Sequence, residues 1–100
     1  MSIFIFSPKD PQETVLYTFD FRNLMQGSET LQSSVWSIAV VSGTDLNPNA
    51  MLTTPILTQT TSAMLITGGI SAVTYQITVT ANTSNGQVLK MTGQLEVLTQ

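Results

Sequence analysis

Val73-Thr74-Tyr75-Gln76-Ile77-Thr78-Val79-Thr80-Ala81-Asn82-Thr83-Ser84-Asn85-Gly86-Gln87-Val88-Leu89-Lys90-Met91-Thr92-Gly93-Gln94-Leu95-Glu96-Val97 carries the clearest fold signal in the chain. Over residues 73–81, Val73, Tyr75, Ile77, Val79 and Ala81 alternate with threonine and glutamine, the two-residue period of a strand with one buried face. A second alternating run follows, with Leu89, Met91, Leu95 and Val97 against Lys90, Thr92, Gln94 and Glu96. Between them lies Asn85-Gly86, two residues that tolerate positive φ, so the stretch reads as a β-hairpin.

The same period runs upstream. Val15, Tyr17, Phe19 and Phe21 alternate with Leu16, Thr18 and Asp20, after a Pro8 to Pro11 segment that blocks regular pairing. From Leu31 to Val41, Trp36, Ile38 and Val40 share one face, and Val35, Ser37, Ala39 and Val41 share the other. Two rather apolar faces place this strand centrally in a sheet. Residues 42–49 are dense in turn formers, Pro55 reduces residues 51–60 to an edge strand or two short pieces, and a short strand over 63–67 ends in Gly68-Gly69. The one helix candidate, residues 21–25, is too short to stand alone.

About seven short strands joined by Gly, Asn and Pro turns predict an all-β protein, an antiparallel immunoglobulin-like β-sandwich. A closed barrel is the alternative architecture. Tyr75, near the start of the penultimate strand, is placed as a corner tyrosine whose hydroxyl bonds back to the chain. The expected core includes Tyr17, Phe19, Trp36, Ile38, Tyr75, Ile77 and Val79. Residues 9–100 form a single domain, and residues 1–8 an apolar N-terminal arm or edge strand.

Composition restricts the chemistry. Among 100 residues there are three basic and six acidic side chains, no histidine and no cysteine. A Ser–His–Asp triad, a Cys–His pair and the usual zinc sites cannot be assembled from that inventory. Three cations fall short of the roughly six to ten phosphates a DNA-binding surface contacts, and a net charge of −3 opposes nucleic acid and anionic membranes. The longest apolar runs, such as residues 3–6 and 38–41, have four residues, against the roughly 20 of a membrane span. The start also lacks the basic and apolar regions of a secretory signal. These features point to synthesis in a cytoplasm without export by that route. Surface polarity comes from 16 threonines, 10 serines and 8 glutamines.

The remaining site candidates are few. Asp10 with Glu13, and Asp20 with Glu29, could serve as acid–base pairs, but each sits by a turn and reads better as solvated turn residues. Asp45, Asn47 and Asn49 lack the glycine-centred loop and closing glutamate of a calcium site. No catalytic, cofactor or metal residue is assigned. A sugar platform would need exposed aromatics, and Tyr17, Phe19, Trp36 and Tyr75 fall on buried faces. Ile3-Phe4-Ile5-Phe6 stands out, because four consecutive apolar residues in a strand cannot all face one core. One pair looks for another surface, either within the domain or on a neighbouring chain.

Several segments together resemble a family of small phage and prophage virion proteins, the phage fiber-tail adaptor family. They are Lys9-Asp10-Pro11, Tyr17-Thr18-Phe19-Asp20-Phe21, Leu24 with Gly27-Ser28-Glu29-Thr30-Leu31, Ser34-Val35-Trp36, Gly68-Gly69, Tyr75-Gln76-Ile77-Thr78-Val79 and Thr83-Ser84-Asn85-Gly86. They follow that family's "DP-x-E…Y-x-x-D" strand, its "L-x-x-G-(D/E)-T-(I/L)" turn, its tryptophan strand and its "Y-x-(I/V)…T-(S/A)-x-G" hairpin over about residues 9–97. Phe21 replaces a tryptophan found in many relatives. The resemblance implies a non-enzymatic structural protein of a tailed-phage virion. It would attach a fibre or accessory protein to the tail and be present in multiple copies. Its partners would be other virion proteins, a tail adaptor or nozzle protein or a fibre, without nucleic acid, membrane or cofactor.

The expected interface residues are Ile3, Phe4, Ile5 and Phe6, with Gly43, Thr44, Asp45, Leu46, Asn47 and Asn49 at one end of the sandwich. Removing residues 1–6 is expected to leave the rest folded while abolishing incorporation into particles. The competing reading is a surface-displayed binding module, a head decoration or a weak glycan-adhesion domain.

Overall fold

The computed structural model describes residues 3–99, so Met1 and Ser2 of the arm and Gln100 lie outside the described residues. Seven strands, β1 Ile3–Ile5, β2 Thr14–Asp20, β3 Leu31–Ser42, β4 Ile56–Leu57, β5 Thr61–Thr67, β6 Val73–Thr83 and β7 Val88–Val97, form two sheets. One has the order β1-β7-β6-β3 and the other β2-β5-β4. β1 joins β7 in parallel, and all other neighbours are antiparallel. The protein is an all-β, two-sheet sandwich. Among the described residues, short 3-10 turns at Arg22–Leu24 and Pro48–Met51 are the helical elements. No helix among the described residues is long and apolar enough to cross a membrane.

Two-residue alternation sends one side of each long strand between the sheets. β6 is the strictest case: Val73, Tyr75, Ile77, Val79 and Ala81 are buried, while Thr74, Gln76, Thr78 and Thr80 line the outer face. Tyr17, Phe19 and Phe21 enter from β2 and its end, Trp36 and Ile38 from β3, and Leu95 and Val97 from β7. Phe19 stands edge-on to Trp36 with ring centroids 5.4 Å apart. A buried indole N–H needs an acceptor. Ser62 Oγ accepts it at 2.9 Å and also bonds Ser34 Oγ at 2.8 Å, tying the two sheets together through hydroxyls.

Two details depart from the sequence reading. The hairpin turn has three residues, because Gly86 N–H donates to Thr83 O and Thr83 N–H to Gln87 O. Gly86 alone adopts positive φ, at 83°, the arrangement of a tight turn followed by a glycine bulge. β3 is also not central. It forms one edge of the four-stranded sheet, and Val35 and Val41 on its outer face are exposed. Its second apolar face therefore meets solvent in the chain as it stands. Pro55 acts as expected, and β4 is reduced to the pairs Ile56–Ala63 and Leu57–Ser62.

Candidate interaction surfaces

One end of the sandwich gathers the start of β2, the loop after β3, the β5–β6 turn and the end of β7. Lys9 anchors this end from inside. It is 1% exposed, and its ammonium donates to Gly68 O at 2.7 Å and Asp10 O at 3.0 Å. Burial lowers its pKa, against the raising influence of Glu13 and Asp10. Its backbone also bonds Glu96 and Leu98, so the segment ahead of β2 is laced to the end of β7.

The loop after β3 is held as firmly. Gly43 turns at φ 96°, where a Cβ would come within 2.9 Å of Val73 Cγ2, so the loop leaves β3 tight against β6. Asp45 Oδ1 accepts the Asn47 N–H at 2.9 Å, closing an Asx turn, and Oδ2 accepts the Tyr75 hydroxyl at 2.7 Å. The same hydroxyl accepts the Ile70 N–H at 3.0 Å. Tyr75 thus bonds back to the chain five residues upstream and holds the β3 loop as well. Its pKa is pushed up to about 12, first by burial and then by its bond to Asp45.

The loop presents Leu46, which is 97% exposed. Gly43, Thr44, Asn47 and Asn49 are exposed around it, and Asp45 is half-buried because its carboxylate faces inward. Beside Leu46, Asp45, Asn47, Ala50, Met51, Gly69 and Ile70 line an open depression of about 250 Å³. A fully exposed leucine on a loop pinned at Gly43 and Asp45 is a preformed knob.

The arm divides by alternation. The Phe4 ring lies 6.3 Å from Phe19, and Phe6 packs 4.8 Å from Tyr17 and 5.8 Å from Phe19. Gly93 of β7 leaves room for the Phe6 ring, since a Cβ there would overlap Phe6 and approach Phe19 Cζ within 3.2 Å. Ile5 points the other way and is 72% exposed, while Phe4 is half-exposed. Of this run, Phe6 is occupied within its own domain, and Ile5 is left facing outward from β1 at the edge of the larger sheet.

The four carboxylates of the candidate acid–base pairs are engaged in local structure. Glu13 accepts the Asp10 N–H and Asp10 the Gln12 N–H, each at 2.8 Å, and Asp20 accepts the Arg22 N–H at 2.9 Å. Glu29 is buried against the opposite end, bonded by the Thr83 hydroxyl, the Gln26 N–H and the Gln87 amide. Thr83 above all, then Gln26 and Gln87, hold its pKa below the usual carboxylate range against the contrary effect of burial. Asp20 and Glu29 serve different turns. No group of three or more metal-ligating side chains occurs among the described residues.

One exposed apolar group escaped the sequence reading. Leu16 and Leu65 are cross-strand neighbours on the outer face of the small sheet, with Ile56 opposite Ala63 on the same face. The signal was present in Leu16 and Leu65, which stand on the polar side of otherwise alternating strands, but pairing them requires the register of β2 with β5.

The family model described as podophage GP4 fiber-tail adaptor protein gp77 matches residues 9–96, and β1 lies outside the matched span. No curated protein matches the chain.

Proposed function

The chain belongs to the podophage GP4 fiber-tail adaptor protein gp77 family, and we propose that it fastens a fibre or accessory protein to the tail through two separate surfaces of one rigid sandwich. The family makes it a structural adaptor of the phage tail, with tail and fibre proteins as partners. Attachment then needs no bond chemistry. It requires apolar surface that is rigid before binding, so that little conformational freedom is lost on association.

The observation that carries this reading is Leu46, 97% exposed on a loop fixed by Asp45 to Tyr75 and Asn47. A leucine held in that way fits an apolar pocket on one partner, with Asn47 and Asn49 as a polar rim. Ile5, at the flank rather than the end of the molecule, contacts the second partner. The protein is made in the host cytoplasm and enters the tail in several copies.

The test is assembly with two variants whose substituted side chains are exposed, Leu46→Asp and Ile5→Lys. Each is expected to purify folded, with unchanged urea midpoint, and to lose one attachment: tails without bound adaptor in one case, adaptor without fibre in the other. Normal fibre-bearing particles from both variants would overturn the assignment of these surfaces. Saturable binding of the purified domain to host glycans, without binding to tail proteins, would favour the binding-module reading instead.

A further inference from the structure

β3 leaves one backbone edge without a partner. It sits beside β6 on one side only, and from Gln32 to Ser42 no backbone hydrogen bond reaches it from any other described segment. Alternation tells which groups line that edge. The Phe6 N–H donates to the Gln94 carbonyl, so Gln94 turns its backbone groups toward β1. Its partner Gln76 turns its own toward β3, where it meets Ala39. β3 keeps unbroken register with β6 from Ser34 to Val40, with a bulge between Val40 and Ser42, and along an unbroken ladder backbone groups reverse direction at each successive residue. Trp36, Ile38 and Val40 therefore aim their N–H and C=O groups outward.

The other edges are blunted. β1 has three residues, β4 has two and follows Pro55, and β2 is bracketed by Glu13 and Asp20. β3 is 12 residues long, and residues 30–44 contain no charge and no proline. Solitary edges ordinarily carry such protection.

We infer that this edge pairs with the same edge of a second copy of the chain, antiparallel about a two-fold axis at Ile38, to make one sheet across the dimer. The register follows from the residues. With the axis at Ile38, Trp36 exchanges backbone bonds with the partner's Val40, and Ile38 with the partner's Ile38. On the outer face Val35, 66% exposed, lies opposite the partner's Val41, the bulge residue that ends the regular run and is 53% exposed in the single chain. Ser37 lies opposite the partner's Ala39. An axis at Trp36 would set Val35 against the partner's Ser37, and one at Ser37 would set it against the partner's Ala39. Only the Ile38 axis joins the two exposed valines, and it does so twice, as a self-complementary interface requires. A foreign strand would need no such symmetry within β3. The uncharged edge also lets two copies, each of net charge −3, meet without like charges at the seam.

Sedimentation of the full-length chain over a concentration series tests this, independently of tail attachment. The unaltered chain is expected to show a reversible dimer. Val35→Lys with Val41→Lys places lysine opposite lysine twice and weakens the dimer by about tenfold or more. Val35→Lys with Val41→Glu places lysine opposite glutamate in this register and restores it. Unchanged far-UV circular dichroism and Trp36 fluorescence in both variants will show that the fold is kept. A monomer up to about 1 mM, a dimer indifferent to the two lysines, or no rescue by the Lys–Glu combination would each overturn the proposal.

Discussion

Two glycines of the last hairpin perform opposite tasks, and the same substitution separates them. Gly86 sits at φ 83° with open space where a Cβ would go, whereas Gly93 has ordinary extended geometry and no space at all, because Phe6 and Phe19 occupy it. Gly86→Ala is expected to cost about 1–2 kcal/mol, the penalty of a left-handed conformation alone. Gly93→Ala costs roughly 1–3 kcal/mol through overpacking, and that cost shrinks when Phe6 is also alanine. Urea unfolding of the two singles and the Phe6 double variant checks both, since coupling is confined to residues in contact. Gly86 was legible from the Asn-Gly pair between alternating runs. Gly93 was not, because a glycine within a strand shows that something approaches closely but not what. Tyr75 lies between these cases: its corner position could be read, but its bond to Asp45, 30 residues away, could not.

At the scale of elements, β1 shows how far periodicity reaches. Alternation required Ile3-Phe4-Ile5-Phe6 to show two faces, and along the run Phe4 and Phe6 turn toward Phe19 while Ile5 faces outward. The consequence for truncation differs from the sequence expectation, because Phe6 packs against Tyr17 and Phe19. Removing residues 1–6 is therefore expected to lower the stability of the remaining domain, a cost that the expectation of a domain still folded did not include. Phe6→Ala is expected to lower stability by about 2 kcal/mol, half or so of the loss for a fully buried phenylalanine. Ile5→Lys should stay within about 0.5 kcal/mol of the unaltered chain in the same urea titration. β3 marks the limit of this reasoning. Two apolar faces suggest a central strand, yet the pattern within a strand records what its faces meet and not how many neighbours flank it. Sheet order depends on the whole set of pairings.

For the whole molecule, charge is scarce enough that single groups shape the pH response. Glu29 has a lowered pKa in the folded state, so its contribution is present above the ordinary carboxylate range and is lost as pH falls through the folded value. Tyr75 works at the other limit. An unfolded tyrosine ionises near pH 10 while the folded one resists until about 12, so stability is lost as pH rises through that window. Tyr17, also raised by burial and by Glu13, adds in the same direction. Urea midpoints between pH 3 and 12 should form a plateau with a fall at each end. Glu29→Gln should flatten the acid limb and Tyr75→Phe the alkaline one.

The sequence by itself determined the strand-rich class, the C-terminal hairpin, the inward faces of the long strands and the want of His- or Cys-based chemistry, because these depend on local alternation, turn residues and inventory. It also carried the family resemblance, whose motifs lie in those strands and turns. The tertiary structure alone decided that β3 ends a sheet, that Phe6 lies over Gly93, that Glu29 closes against Thr83 and Gln87, and that Tyr75 holds the loop bearing Leu46. Each of these joins residues far apart along the chain. Their partners are chosen by strand order and register, which arise from the packing of all seven strands together and from no single segment.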